Sequence, residues 1–444
     1  MDRRSMLALG LAAFGAAAPA RAADTPAAVA KTAPSGDLAG ALFAGDEQFW
    51  FETVRMFGAA DYGGAEFGEV MAVATQITPG DYDSWHAAWH AMAERIAGEA
   101  DASLAKGHRI SARDGYLRAS NYYRSSEFFL HGTPADPRIG VAYKRTVACF
   151  KAAAALFKPQ ITPVEIPYEH TTLPGYFYSP DASGRPRPTV ILHTGFDGSA
   201  EEMHFQGAQA GVERGYNVLS FDGPGQFGPL HREGLVFRPD WEKVVTPVVD
   251  FLVARSDVDA KRIALYGASM GGELAPRAAA FEKRISACIA NDGLYDNAAP
   301  ILANAPAFYR ETLKARFRAP QDPDLDAMLA KAMKTNPTQR WAMTHGMYAL
   351  GVKSPRAYCA ALLDYNLSGG VAEKISCPTL VLDAQNDLFF KGQAQVLYDH
   401  LTCPKTMIKF TAAEGAGSHC QVEASRLSNG RIFDWLDETF AVQA

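Results

Sequence analysis

The sequence predicts an α/β fold: a mostly parallel sheet with helices on both faces, carrying an N-terminal helical cap domain and a helical lid insertion. Three observations predict it. Beyond Pro159, short β-rich runs alternate with helical stretches, a pattern that puts parallel strands between two helical layers. From 37 to 159 there is little strand signal, and apolar residues recur at three and four positions. About ninety residues separate the run ending at Ala290 from the run starting at Thr379, too many for a structureless loop in a compact domain.

The elements follow in order. Residues 1–22 read as a twin-arginine-type signal peptide, because Arg3 and Arg4 precede an apolar stretch and Ala20-Arg21-Ala22 offers the small residues a signal peptidase accepts. That reading makes the protein periplasmic, with no stable membrane insertion after cleavage. Residues 23–36, rich in Ala, Thr and Pro, read as a flexible leader. The helical cap domain spans 37–159, with its clearest periodicity over 82–104 and 113–130.

The α/β domain spans 160–444. Its runs at 164–168 and 175–178, parted by a Thr-Leu-Pro turn region, read as an opening antiparallel pair. Strands then follow at 189–193, 217–221, 262–266, 287–290, 379–382 and 407–410. The lid, about 294–370, is helical and rich in aromatic residues such as Phe308, Trp341 and Tyr358.

With 444 residues, 48% hydrophobic and 21% charged, and a net charge of -6, the chain is globular, and nothing in it suggests a nucleic-acid surface. A small-molecule substrate is the expected partner, and a homodimer is left open. The six cysteines show no metal-like pairs or disulfide framework, and Cys403 with Cys420 is the one bridge left open. His86 and His90 stand four apart on one helix face, but no zincin Glu follows His86 and no third ligand is suggested. Packing beside Trp85 and Trp89 is the better reading. Neither a metal nor a cofactor is expected.

The chemistry centres on Gly267-Ala268-Ser269-Met270-Gly271, set between the strand at 262–266 and the helix-forming run 273–280. A serine at such a strand-to-helix turn takes strained backbone angles, and small residues two before and two after let strand and helix approach. The helix N-terminus then favours negative charge developing on a substrate oxygen. A serine hydroxyl needs a base, and the base needs a carboxylate that fixes its tautomer. Where the order is serine, acid, histidine, Asp387 follows the strand after the lid, with Asp383 as its competitor at the strand edge. His419 alone among eleven histidines follows the last expected strand. The oxyanion donors are expected at Met270 N–H and, from the loop His193-Thr194-Gly195-Phe196-Asp197-Gly198, at Phe196 N–H. Asp222 reads as structural, stabilising the turn after its strand.

The helical segment Tyr116-Leu117-Arg118-Ala119-Ser120-Asn121-Tyr122-Tyr123-Arg124, the hairpin from Tyr168 through Pro174-Gly175-Tyr176, the 193–198 loop and the serine elbow together resemble the FrsA-like α/β-hydrolases. That family holds dihydroxypseudooxynicotine hydrolase and fungal hydrolases that shorten pigment polyketides. The resemblance implies a helical cap over the site and a triad of Ser269, Asp387 and His419. It also implies a scissile bond that joins two carbons next to a ketone, and it suggests Asp292 as an acidic substrate contact assisting that cleavage. Carboxylic ester hydrolysis is the alternative, and a non-catalytic binding or regulatory role on the same fold is the reading from another class.

Overall fold

The computed structural model describes residues 38–442, so the expected signal peptide and leader lie outside the described residues. The described residues open with six α-helices: α1 (Leu38–Phe43), α2 (Glu47–Ala59), α3 (Phe67–Ala74), α4 (Tyr82–Ala105), α5 (Arg109–Glu127) and α6 (Pro137–Ala154). Local chemistry marks their starts. Asp46 caps α2 at Phe49 N–H, Asp81 caps α4 at Asp83 and Ser84, and Asp136 caps α6 with Pro137 in the first turn.

Eight strands follow, β1 (Thr162–Tyr168), β2 (Thr171–Tyr178), β3 (Arg187–His193), β4 (Asn217–Phe221), β5 (Val258–Ala268), β6 (Ala287–Asn291), β7 (Thr379–Ala384) and β8 (Lys405–Phe410). They form one sheet in the order β1-β2-β4-β3-β5-β6-β7-β8. The first two pairings are antiparallel and the rest parallel. Every expected strand is present. The largest extension is β5, which starts at Val258 because half-buried Asp259 and exposed Lys261 conceal the strand's beginning from a hydrophobicity pattern.

Between the strands run α7 (Gln209–Glu213), α8 (Phe227–Glu233), α9 (Glu242–Val253) and α10 (Gly271–Phe281). The long β6–β7 connection is helical, with α11 (Ala299–Ala303), α12 (Arg310–Arg318), α13 (Pro323–Thr335), α14 (Pro337–Ala349) and α15 (Pro355–Leu362). The last three begin alike, on a capping side chain followed by proline: Asp322-Pro323, Asn336-Pro337 and Ser354-Pro355. Helices α16 (Gln393–His400) and α17 (Ser425–Phe440) are the last two among the described residues.

Strand alternation sorts the core into two apolar clusters, one on each sheet face. Val190, Leu192, Ala264 and Tyr266 join the first, and Ile191, Ile263 and Leu265 join the second. The first cluster continues without a break into Phe49, Trp85, Trp89, Tyr122 and Phe150 of the N-terminal helices. The second takes in α9, α10 and the apolar side of the β6–β7 insertion. At Pro159 the secondary structure changes but the core does not.

Candidate active site

Ser269, Asp292, Asp387 and His419 all stand beyond the carboxyl ends of strands, the edge at which parallel sheets bind ligands. Between β5 and α10, Ser269 takes a φ of 62°, a conformation non-glycine residues rarely adopt. Its N–H donates to Asn291 O at 2.8 Å and its carbonyl accepts from Gly272 N–H at 2.7 Å, so both neighbouring strand and helix hold the turn. The space is glycine's: a Cβ on Gly267 would lie 2.1 Å from Gly271 O, and one on Gly195 would lie 2.5 Å from Met270 N. The 193–198 loop therefore presses directly on the elbow.

His419 Nε2 stands 2.8 Å from Ser269 Oγ. On the other side of the ring, Nδ1 faces two carboxylates, Asp387 Oδ1 at 3.0 Å and Asp292 Oδ2 at 2.9 Å. Asp387 also accepts from the N–H groups of Phe389 at 2.7 Å and Phe390 at 3.0 Å. Asp292 accepts from Cys420 N–H and from Gln421 Nε2 at 3.1 Å. Burial opposes both charges, yet in Asp387 the His419 ring and the two amides outweigh it and lower the carboxyl, whereas Asp292 is raised by burial and by Asp387 beside it. Burial alone would lower His419, but its neighbours raise it well above the ordinary imidazole range. Of these neighbours, Cys420 has a thiol pushed up to about 12 and is uncharged at neutral pH, which leaves the carboxylates as the cause.

Asp383, the competing acid, points elsewhere and meets Lys409 Nζ at 3.6 Å. Asp292 needs a correction. Expected to touch substrate, it is 2% exposed behind His419 and lines no part of the cavity above Ser269. The left-handed backbone at Asp292, φ 47°, turns its side chain inward beneath the ring. Asp222 accepts from Gly228 N–H at 2.9 Å at the start of α8.

Among the described residues, neither Met270 N–H nor Phe196 N–H has an acceptor within the protein. A residue the sequence did not reveal fixes the loop between them. Buried Gln226 donates from Nε2 to Thr194 O at 2.7 Å and Gly195 O at 3.3 Å, while its Oε1 accepts from Gly223 N–H. Gly195 O and Phe196 N–H belong to one trans peptide, so holding the carbonyl aims the N–H the other way.

A buried charge network grips the same loop from the helical region. Arg55 of α2 donates from Nε and Nη2 to Glu202, each at 2.5 Å, and from Nη1 to Asp197 at 3.1 Å and Glu52 at 3.2 Å. Arg124 reaches Glu202 at 3.3 Å. Burial pushes the Glu52 carboxyl up to about 8. Glu201-Glu202 in a loop looks like an ordinary solvated pair in sequence; only tertiary packing sets arginines against it.

The cavity over Ser269 is walled by Phe51 of α2, Phe196, Trp341 of α14, Tyr358 of α15 and the pair Phe389 and Phe390. Its surface is overwhelmingly apolar, suited to a small molecule with few charges. His86 donates from Nδ1 to Ser126 O at 2.9 Å, and its ring stacks on His90 at 5.2 Å. Glu127, His131 and His231 bring donor atoms together, as do Asp292, His419 and Cys420. All six cysteines are free: Cys403 Sγ lies by Thr379 Oγ1 at the amino end of β7, while Cys420 sits beside His419 at the opposite edge. No helix among the described residues is long and apolar enough to cross a membrane.

Residues 128–423 match the family described as the alpha/beta hydrolase family. Hydrolase LUC6 of Fusarium sp is 36% identical over 89% of this chain and 97% of its own length. 20-Hydroxy-prefusarin hydrolase FUS2 of Gibberella moniliformis is 36% identical over 90% of this chain and 98% of its own. Among solved structures, 2,6-dihydroxy-pseudo-oxynicotine hydrolase superposes with a TM-score of 0.67 at 22% identity, covering 86% of this chain and 95% of that one. The fungal relatives LUC6 and FUS2 correct the expected destination. They are fungal proteins matching nearly end to end, and fungal cells have neither a periplasm nor twin-arginine export, so Arg3 and Arg4 do not define a periplasmic enzyme.

Proposed function

The chain belongs to the alpha/beta hydrolase family and is a hydrolase of small molecules, and from that premise we propose a serine-nucleophile mechanism at the carboxyl edge of its sheet. The observation that carries it is Ser269 Oγ held 2.8 Å from His419 Nε2, with the carboxylate of Asp387 on Nδ1. Ser269 attacks a substrate carbonyl while His419 takes its proton, and the oxyanion is met by Met270 N–H and Phe196 N–H. Asp387 holds the ring in the tautomer that leaves Nε2 free to accept. Collapse of the tetrahedral adduct expels the leaving group, which His419 protonates. Water, activated by the same ring, then releases the acid from the acyl-enzyme.

The bond broken is a carbon–carbon bond next to a ketone. Its electron pair goes to the departing carbon, which must be stabilised as an enolate or an electron-rich ring before His419 delivers the proton. Enclosure favours that chemistry, and it comes from two directions: α1–α6 as a cap, through Phe51 and Arg55, and the β6–β7 insertion as a lid, through Trp341 and Tyr358. The relative FUS2, named for 20-hydroxy-prefusarin, supports a small organic substrate in the apolar cavity.

Labelling with a fluorophosphonate tests the nucleophile: the wild-type chain reacts and Ser269→Ala does not. A chain that stays unlabelled would be a binding protein on a hydrolase fold. Steady-state rates on matched aryl esters and aryl β-diketones test the bond. An ester preference of about a hundredfold or more in kcat/KM, some 2.7 kcal/mol in transition-state energy, would make it a carboxylic ester hydrolase instead.

A further inference from the structure

A run of three buried side chains, Glu127, His131 and His345, reaches the backbone of the Phe196 loop through His345. His345 of α14 faces Phe196 O from Nε2 at 2.8 Å, and its Nδ1 stands 2.8 Å from His131 Nδ1. His131, just after α5, has its Nε2 2.6 Å from Glu127 Oε2. All three residues are buried.

The directions of these bonds follow from what each end can do. A carbonyl oxygen only accepts, so His345 Nε2 carries a hydrogen. Neutral His345 then accepts at Nδ1, and His131 Nδ1 must donate. One proton remains to be placed, between His131 Nε2 and Glu127. Burial opposes charge on Glu127, but His131 beside it holds its carboxyl far below the usual range, while burial and the neighbouring His131 lower His345 to about 4. The chain thus runs from Glu127 through His131 and His345 to the Phe196 carbonyl, with one proton held in the 2.6 Å contact between Glu127 and His131.

His231 brings an unpartnered Nε2 within 3.6 Å of Glu127, which raises the question of a metal ion. The spacing answers it. Two ligands about 2.1 Å from one ion at a tetrahedral angle stand about 3.4 Å apart, whereas His131 and Glu127 are at 2.6 Å, a separation that fits one proton.

We propose that Glu127, His131 and His345 are positioning residues for the oxyanion hole, a hydrogen-bonded chain that locks the Phe196 peptide from the cap and lid side. The proposal rests on the serine mechanism above and on Phe196 N–H as its second donor. With Gln226 holding the peptide before Phe196 and His345 the peptide after it, the residue is clamped on both sides. His345 does not line the cavity, so its effect falls on the transition state and not on substrate binding.

The test compares His345→Leu with His345→Gln, whose amide can still donate to the carbonyl. Directly removing one oxyanion donor costs about 100- to 1000-fold; His345 acts one step back, so His345→Leu should lower kcat by about 10- to 100-fold with KM nearly unchanged. The affinity for an aryl trifluoromethyl ketone, whose adduct carries the oxyanion, should fall in parallel, and His345→Gln should recover most of both. A His345→Leu variant with wild-type kcat, or one altered only in KM, overturns the proposal. Should that variant misfold by near-ultraviolet circular dichroism, His131→Leu decides: the same paired loss supports the chain and unchanged kinetics overturn it. Fluorophosphonate labelling of the wild type is run alongside: its absence would sink the serine mechanism on which this positioning rests, whereas labelling together with an unchanged His345→Leu would sink the positioning alone.

Discussion

A single imidazole nitrogen shared by two carboxylates changes what a substitution at either acid should do. Where one aspartate alone orients the histidine, its replacement by asparagine costs about 10⁴-fold in kcat. Here Asp292 remains 2.9 Å from His419 Nδ1 when Asp387 is neutralised. We expect Asp387→Asn and Asp292→Asn each to lose about 100-fold or less, and the double variant about 10⁴-fold, measured as kcat on one substrate. A single Asp387→Asn as damaging as the pair would show that Asp292 is only packing. The pH profile carries a second expectation. His419 must be neutral to accept the Ser269 proton, and the carboxylates raise its titration, so activity is present above that midpoint and lost as pH falls through it. Removing either negative charge should move the acid limb of kcat to lower pH. An upward shift would contradict the assignment. At this scale Ser269, His419 and Asp387 were legible from a motif and from chain order. Asp292 was visible as an acid after β6, but the sequence carries nothing about a left-handed turn that points it under the ring, away from the cavity.

Elements were legible where burial writes a pattern and obscure where it does not. The strands β4 and β6, buried at every position, read almost residue for residue, whereas the insertion read only as helical, without α13 to α15 being placed in it. The grip on the 193–198 loop was not legible, because Gln226, Arg55 and His345 come from three distant segments and each looks unremarkable in its own. The elbow between β5 and α10 gives a sharper expectation. An added methyl at Gly267 would meet the Gly271 carbonyl at 2.1 Å, and a backbone atom cannot swing aside. Gly267→Ala should cost about 2–4 kcal/mol, seen as a lower Tm by calorimetry, and should reduce kcat at least about tenfold by displacing Ser269. An unchanged Tm would mean that the strand and helix separate more easily than their packing suggests.

For the molecule as a whole, the continuous first cluster has a mechanical meaning. Phe49, Trp85, Trp89 and Tyr122 share one core with Val190, Leu192 and Tyr266 of the sheet, so neither part has a face it could show to water alone. We expect one calorimetric transition for the full chain, and expect a fragment of residues 160–444 to lack near-ultraviolet circular dichroism and to aggregate on gel filtration. A soluble, cooperatively melting fragment would refute the shared core. The change at Pro159 was plain in the sequence because periodicity shifts there; continuity of packing across it was not, since apolar residues do not say which partner they meet. The same arrangement bears on how such a protein could be re-tooled. Three of its cavity walls, Phe51, Trp341 and Tyr358, come from segments remote from the serine, histidine and acids, so a library varying them can redraw the substrate's shape while the reacting groups stay fixed. Arg55 and His345 are the exceptions: they hold the floor as well as the roof, and an exchange of cap or lid that drops either would transplant a shape without its catalyst.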